Sequence, residues 1–236
     1  MKKIFIIARR EFFAAFFSPI AYIVITVFLI VSGYLFAIYI TTIEVASMRV
    51  PLSNIGFILL FLTPLITMRL LSEEIRSGTI EVLLTDPIKD GVIVLGKYLA
   101  ACMFLTAMLA PTILYSLILE NLGEPDWGPI YSGYLGLLLM GYLMISIGLF
   151  FSALTRNQIV AAVLTFVFLL LLWILHWAVG VVDPSMAKIL SFLSLFDHFD
   201  GFRRGVVDSR DVVFYLSTIG LFLFITTRMV EAARWR

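Results

Sequence analysis

Charged residues are missing from long stretches of the chain, and these stretches set its architecture. None stands between Glu11 and Glu44, and residues 20–40 are almost wholly apolar. Further uncharged runs cover residues 52–68, 98–119, 131–154, 159–182 and 212–227. A helix crossing a hydrocarbon core of ~30 Å needs ~20 such residues. Membrane-spanning strands would be shorter and would alternate polar with apolar positions, a pattern absent from these runs. The reading is an all-α polytopic membrane protein with six transmembrane helices.

The N-terminal residues add one more element. Lys2 and Arg9 are seven apart, as are Lys3 and Arg10, so all four share a helical face. Phe5, Ala8, Phe12 and Phe16 recur at spacings of three or four on another. Residues 1–17 therefore predict an amphipathic interfacial helix. Ser18 and Pro19 suit the N-cap and first position of the first span. A twin-arginine or cleaved secretory signal is the rival reading. The following apolar stretch is too long for a signal core, and no small-residue cleavage site follows it.

Composition agrees with this picture. Of 236 residues, 61% are hydrophobic and only 14% charged, against ~25% charged in soluble domains. An ordinary soluble enzyme and a disordered chain are both excluded. The net charge of +1 provides no field for nucleic acid. Cys102 stands alone, so it has no internal disulfide partner. An even number of spans puts both termini on one side. That side gathers Lys2, Lys3, Arg9, Arg10, Arg69, Arg76, Lys89, Lys97, Arg156, Arg228, Arg234 and Arg236. The other side has Arg49, Lys188, Arg203, Arg204 and Arg210. The positive-inside rule makes the richer side, with both termini, cytoplasmic; a multi-pass protein of the cell inner membrane is expected.

With the spans so bounded, none holds Asp, Glu, Lys or Arg in its interior. A membrane-embedded charge costs at least ~2.5–3.5 kcal/mol and marks ion paths and proton relays. Its absence argues against a proton- or sodium-coupled carrier. His176 lies among Trp173 and Trp177 toward the outer end of the fifth span. An interfacial histidine in an aromatic belt is the simpler reading, a proton switch the other. His176 and His198 lack metal-ligand spacing. No phosphate-cradling G-x-x-x-x-G-K-[ST], G-x-S-x-G or H-E-x-x-H motif occurs. No cofactor and no catalytic constellation is expected on this chain. In the fourth span Gly141, Gly148 and Ser152 share a face, and Ser132 and Gly136 form a small-residue pair suited to close packing, most simply within the chain. Pro64 and Pro111 are expected to kink the second and third spans.

The longest polar stretch on the inner side covers residues 72–91. Glu73, Glu74 and Arg76 continue the second helix out of the membrane. Gly78 suits a helix stop and Thr79 a new cap. Glu81 falls in a first turn, where the helix dipole favours an anion. Ile80, Leu83 and Leu84 give this short helix an apolar side before Pro87. An apolar side with a charged rim suits a docking element or a loop lying on the membrane.

The stretch SEEIRSGTIEVLLTDPIKDGVIVLGKYLA resembles the signature cytoplasmic segment of type-2 ATP-binding-cassette (ABC) exporter permeases. Those permeases carry an acidic pair, Gly-Thr, then Glu and Leu-Leu after the second of six spans. The matching residues are Glu73, Glu74, Gly78, Thr79, Glu81, Leu83 and Leu84, followed by Pro87-Ile88 and Gly96-Lys97. The resemblance extends over the whole chain as a single permease domain, 1–236. Its subgroup is similar to gliding-motility and copper-maturation exporters. Arg9, Arg10 and Glu11 resemble the family's connecting helix. Residues 183–211, with His198, Arg203 and Arg204, resemble its outer membrane-dipping segment. The resemblance implies a non-catalytic permease subunit forming the substrate path and coupled through residues 73–84 to a separate cytoplasmic ATPase. It implies two ATPases that hold the ATP and Mg, and a second permease copy or homologue. A self-contained secondary transporter or channel is the alternative, and a membrane enzyme a weaker third.

Overall fold

The computed structural model describes residues 2–42, 46–77 and 90–233. Helix α1 is Lys2–Phe17 and α2 is Pro19–Thr42. Helix α3 is Arg49–Thr67, and α4 the short Ser72–Ser77. Helix α5 is Asp90–Leu109, continued through a 3-10 turn, Ala110–Thr112, into α6, Ile113–Leu122. Helices α7, Trp127–Leu154, and α8, Gln158–Ala178, follow. Two short helices, α9 (Pro184–Leu193) and α10 (Leu195–Arg203), precede α11, Ser209–Ala233. No strand occurs among the described residues. Among the described residues, six stretches are long and apolar enough to cross a membrane: α2, α3–α4, α5–α6, α7, α8 and α11.

Helix α7 is the centre of the bundle. It packs against α3, α5, α8, α10 and α11. Its small residues explain why. A side chain added at Gly148 would overlap the Thr67 hydroxyl of α3. Gly136 faces the Phe202 ring of α10, and Gly141 faces Leu105 of α5. Polar groups finish the seams. Ser132 Oγ donates to the Phe202 carbonyl at 2.7 Å. All these contacts lie within one chain, as the small-residue faces suggested. Backbones that approach this closely gain dispersion contacts, which drive helix association where no hydrophobic effect operates.

The prolines act differently from one another. Helix α3 runs through Pro64 and stops soon after, at Thr67. Residues 68–71 then form a turn before α4. Ser152 on α7 secures that turn: its hydroxyl accepts from the Leu71 and Ser72 amides at 3.0 and 3.1 Å. The same hydroxyl donates to the Met68 carbonyl at 3.1 Å. The Pro111 region is a 3-10 turn that joins α5 to α6. Pro111 lacks the N–H that an uninterrupted helix would use.

The third span begins at Asp90, a residue whose side chain suits a helix cap, and so starts before the charge-free run of residues 98–119. Lys97 therefore lies inside the helix and is 3% exposed. The charge-free criterion cut the helix at its last cation, although a helix end can carry a charge that reaches a polar rim.

Helix α1 and the close of α11 lie at the same end of the bundle. Helix α1 packs along α5, where a Cβ on Gly96 would come within 2.6 Å of the Ile7 side chain. Near the close of α11, Thr227 approaches Gly91. Residues 46–49, 123 and 178–210 occupy the opposite end, where Gly123 faces Ala46 and Arg203 bonds to the Arg49 carbonyl.

Candidate functional site

At the end where α1 packs on α5, three elements meet on one ammonium group. Lys97 Nζ of α5 lies 2.7 Å from Glu74 Oε1 of α4 and 3.6 Å from Glu11 Oε2 of α1. The lysine side chain is 4% exposed, Glu74 19% and Glu11 34%. A buried lysine is tolerated only where paired acceptors replace its water, and two carboxylates do so here. Gly96 lets α1 close on α5 just beside Lys97, which brings Glu11 within reach. Glu74 reaches in from α4, which directly follows the turn held by Ser152. The site thus joins the N-terminal helix, the extension of the second span and the start of the third.

A cavity of about 320 Å³ opens beside this node, between α1, α2, α3 and α5. Arg69, Glu73, Glu74 and Lys97 line one part of it, and apolar side chains such as Val24 and Phe104 line the rest. Glu74 Oε2 is buried at this wall without a hydrogen-bond partner.

The expected coupling residues divide here. Glu73 is exposed and Glu74 half-buried on α4. Gly78, Thr79, Ile80, Glu81, Leu83 and Leu84 lie outside the described residues. On α1, Lys3, Arg9 and Arg10 are exposed, and Arg9 lies 5.7 Å over the Phe13 ring. The backbone of Lys2 begins this helix. Glu11 turns away from the basic face to meet Lys97. Ala8 is fully buried and Phe12 and Phe16 pack on the core, but Phe5 remains 61% exposed. Sequence reading missed Lys97 as a site residue because it assigned the residue to a loop. The one available signal was the Gly96-Lys97 pair, a close-approach residue beside a cation.

At the opposite end, α9 and α10 tie the last two spans together. His198 of α10 is 5% exposed and stacks on Phe214 of α11, with ring centroids 3.8 Å apart. Its Nδ1 faces Asp211 Oδ1 at 2.7 Å and its Nε2 faces the Phe192 carbonyl at 2.9 Å. The ring is thereby fixed from both edges. His176 of α8 pairs with Asp197 of α10, and its ring lies against Phe196. The histidine read as part of an aromatic belt thus also has a carboxylate partner. Arg203 and Arg204 both pair with Asp200, and Arg203 also donates to Ser53 Oγ on α3 at 2.8 Å. Burial raises the Asp200 pKa, but the bonds and charges of Arg203 and Arg204 outweigh it, and the carboxyl titrates below its ordinary value. Among the described residues, no three His, Cys, Asp or Glu side chains converge as a metal site requires.

The sequence profile of one family, described as ABC-2 family transporter protein, matches residues 40–230. No curated protein matches the chain.

Proposed function

The chain belongs to the ABC-2 transporter family and is a multi-pass membrane permease; from that premise we propose that it couples ATP hydrolysis on a separate cytoplasmic ATPase to the export of an amphipathic or largely apolar solute. Two ATPases and a second permease, identical or homologous, complete the transporter. The termini face the cytoplasm in the cell inner membrane, in keeping with the basic residues at that end.

The observation that carries this reading is the Lys97 node. Force applied to residues 73–84 enters α4 and reaches α5 and α1 through one buried charge cluster. Ile80, Leu83 and Leu84 fill an apolar groove on the ATPase, while Glu73 and Glu81 meet basic residues around it. Burying one leucine contributes ~1.5–3 kcal/mol, so Leu83→Ala weakens docking by a factor of tens. The spans supply Phe, Tyr, Leu, Ser and Thr toward a path between two permeases. An ionic solute there lacks the paired groups that replace its water.

The test expresses Glu81→Lys and Gly78→Val with the ATPase that co-purifies with the full chain. ATPase capture and transport-linked hydrolysis are measured in parallel with membrane insertion. Both variants insert normally, and both lose docking or coupling. Full docking and coupling in both variants would overturn the assignment, as would transport by the chain without any ATPase.

A further inference from the structure

We propose that His198 is a proton-dependent clamp that holds α9 onto α10 and α11, and that loss of one proton from its ring frees the end of α9. Both ring nitrogens face oxygens that can only accept. Nδ1 meets Asp211 Oδ1 at 2.7 Å, and Nε2 meets the Phe192 carbonyl at 2.9 Å. A neutral imidazole has one N–H and satisfies one of them, so the two bonds together need a second proton. Where that proton sits between Nδ1 and the carboxylate does not alter the count. The surroundings of the ring accommodate a cation. Asp211 supplies the opposite charge. The ring also lies nearly parallel to Phe214, at an interplanar angle of 15°, and an aromatic face attracts a cation. The residue is buried, so water does not readily replace either bond.

The elements around α10 bring little other charge to this ring. Helix α7 carries no charged residue, α3 carries only Arg49, and the one ionisable residue of α8 is His176, paired with Asp197. Lys188 of α9 is exposed. On α11, Arg210 lies over the Phe192 ring, and Asp208, just before it, accepts from the Arg210 amide. The Tyr215 ring stands 6.2 Å from the imidazole, but its hydroxyl donates to the Leu195 carbonyl. Asp200 is taken up by Arg203 and Arg204. When the second proton leaves, two acceptors compete for a single N–H. The charge-assisted bond to Asp211 is the stronger, so the Phe192 carbonyl loses its donor. That carbonyl lies in the last turn of α9, where the helix supplies no amide of its own. No residue of α9 is fully buried, so few other contacts secure its end. The clamp is closed at low pH and open at high pH. Helix α9 is the part released, while α10 stays packed on α7.

The experiment measures amide hydrogen exchange by mass spectrometry on the full chain in mild detergent, with rates corrected for the chemical effect of pH. Between about pH 6 and about pH 8.5, either side of the histidine range, exchange across α9 rises about tenfold, the effect of one lost hydrogen bond on local opening. Exchange across α7 stays level and serves as the reference. Asp211→Asn is the decisive variant. Its amide donates to Nδ1 of a neutral ring whose Nε2–H still reaches Phe192, so α9 exchanges slowly at both pH values. His198→Phe removes the clamp and leaves α9 fast at both. His176→Gln retains the wild-type step. Exchange of α9 that does not change with pH in the wild type overturns the proposal. So does a step that survives in His198→Phe or in Asp211→Asn, or one that vanishes in His176→Gln. A purely structural His198 would loosen α9 in both of its variants, and only the proton count predicts the slow Asp211→Asn form. Should His198→Phe fail to fold, Asp211→Asn still decides. The readout requires no ATPase and no cargo, so a negative result leaves the coupling assignment intact, and a failure of coupling leaves this one intact.

Discussion

Two ionised residues make opposite demands on the protein. Lys97 is held by two carboxylates out of water, and removing one member of such a cluster strands the rest. Lys97→Met is expected to destabilise the protein by ~3–5 kcal/mol. Adding Glu74→Gln and Glu11→Gln restores much of that loss, because no uncompensated charge remains. Thermal unfolding in mild detergent checks both; equal stability of the single and triple variants contradicts the account. Asp200 works through solution pH. Its pKa is lowered in the folded state, so its contribution is complete above the unfolded value of ~3.9 and is lost as pH falls through the folded one. The unfolding midpoint should drop below about pH 4 more steeply in the wild type than in Asp200→Asn. Parallel acid profiles would assign the loss to other groups. Neither environment was legible from sequence. Lys97 lay beside a hydropathy boundary, and Asp200 meets Arg203 and Arg204 only because α10 is helical, which places residues three and four apart on one face.

Long helices were the most legible elements, because an uncharged run of ~20 residues has few alternatives in a membrane. Six were expected, and six helices long and apolar enough to cross a membrane occur among the described residues. The N-terminal helix was legible too, through its basic repeat. What the pattern could not give was which face of each helix is covered. Helix α7 is apolar all round, so hydropathy alone does not orient it. The orientation follows from its small residues, each opposite a large side chain or hydroxyl on a neighbour. Gly148→Val should therefore separate α7 from α3 and cost ~1–3 kcal/mol by overpacking. The unfolding midpoint measures it, and Gly220→Val, with nothing near its added Cβ, is the control. A Gly148 variant no less stable than the control would remove Gly148 from the seam. Residues 183–211, likened to an outer membrane-dipping segment, contain two short helices, α9 and α10, joined where the Ser194 hydroxyl accepts from the Asp197 amide at 3.2 Å.

A single chain leaves much apolar surface uncovered. Ile30 and Tyr34 on α2 are 64% and 66% exposed, and α8 and α11 show similar faces. Lipid or a second permease covers these helices. We predict two copies of this chain, or one with a homologue, by native mass measurement and by crosslinking in mild detergent. An active monomer would sink the dimer assignment. Sequence could not reveal the assembly, since a helix face that meets lipid and one that meets a partner have similar compositions. The Ser152 hydroxyl, by contrast, has a mechanical consequence inside one chain. It holds the amides and carbonyl of residues 68–72 to the middle helix of the bundle. Helix α4 is then the short arm of a lever whose fulcrum is this one oxygen atom. On the proposed coupling, tilting that arm would rotate α4 against a fixed point on α7 and pass displacement sideways through Glu74 and Lys97 into the third span. Replacing the serine by alanine would leave both arms in place and remove the pivot: the arm would swing freely and no longer drive its neighbour.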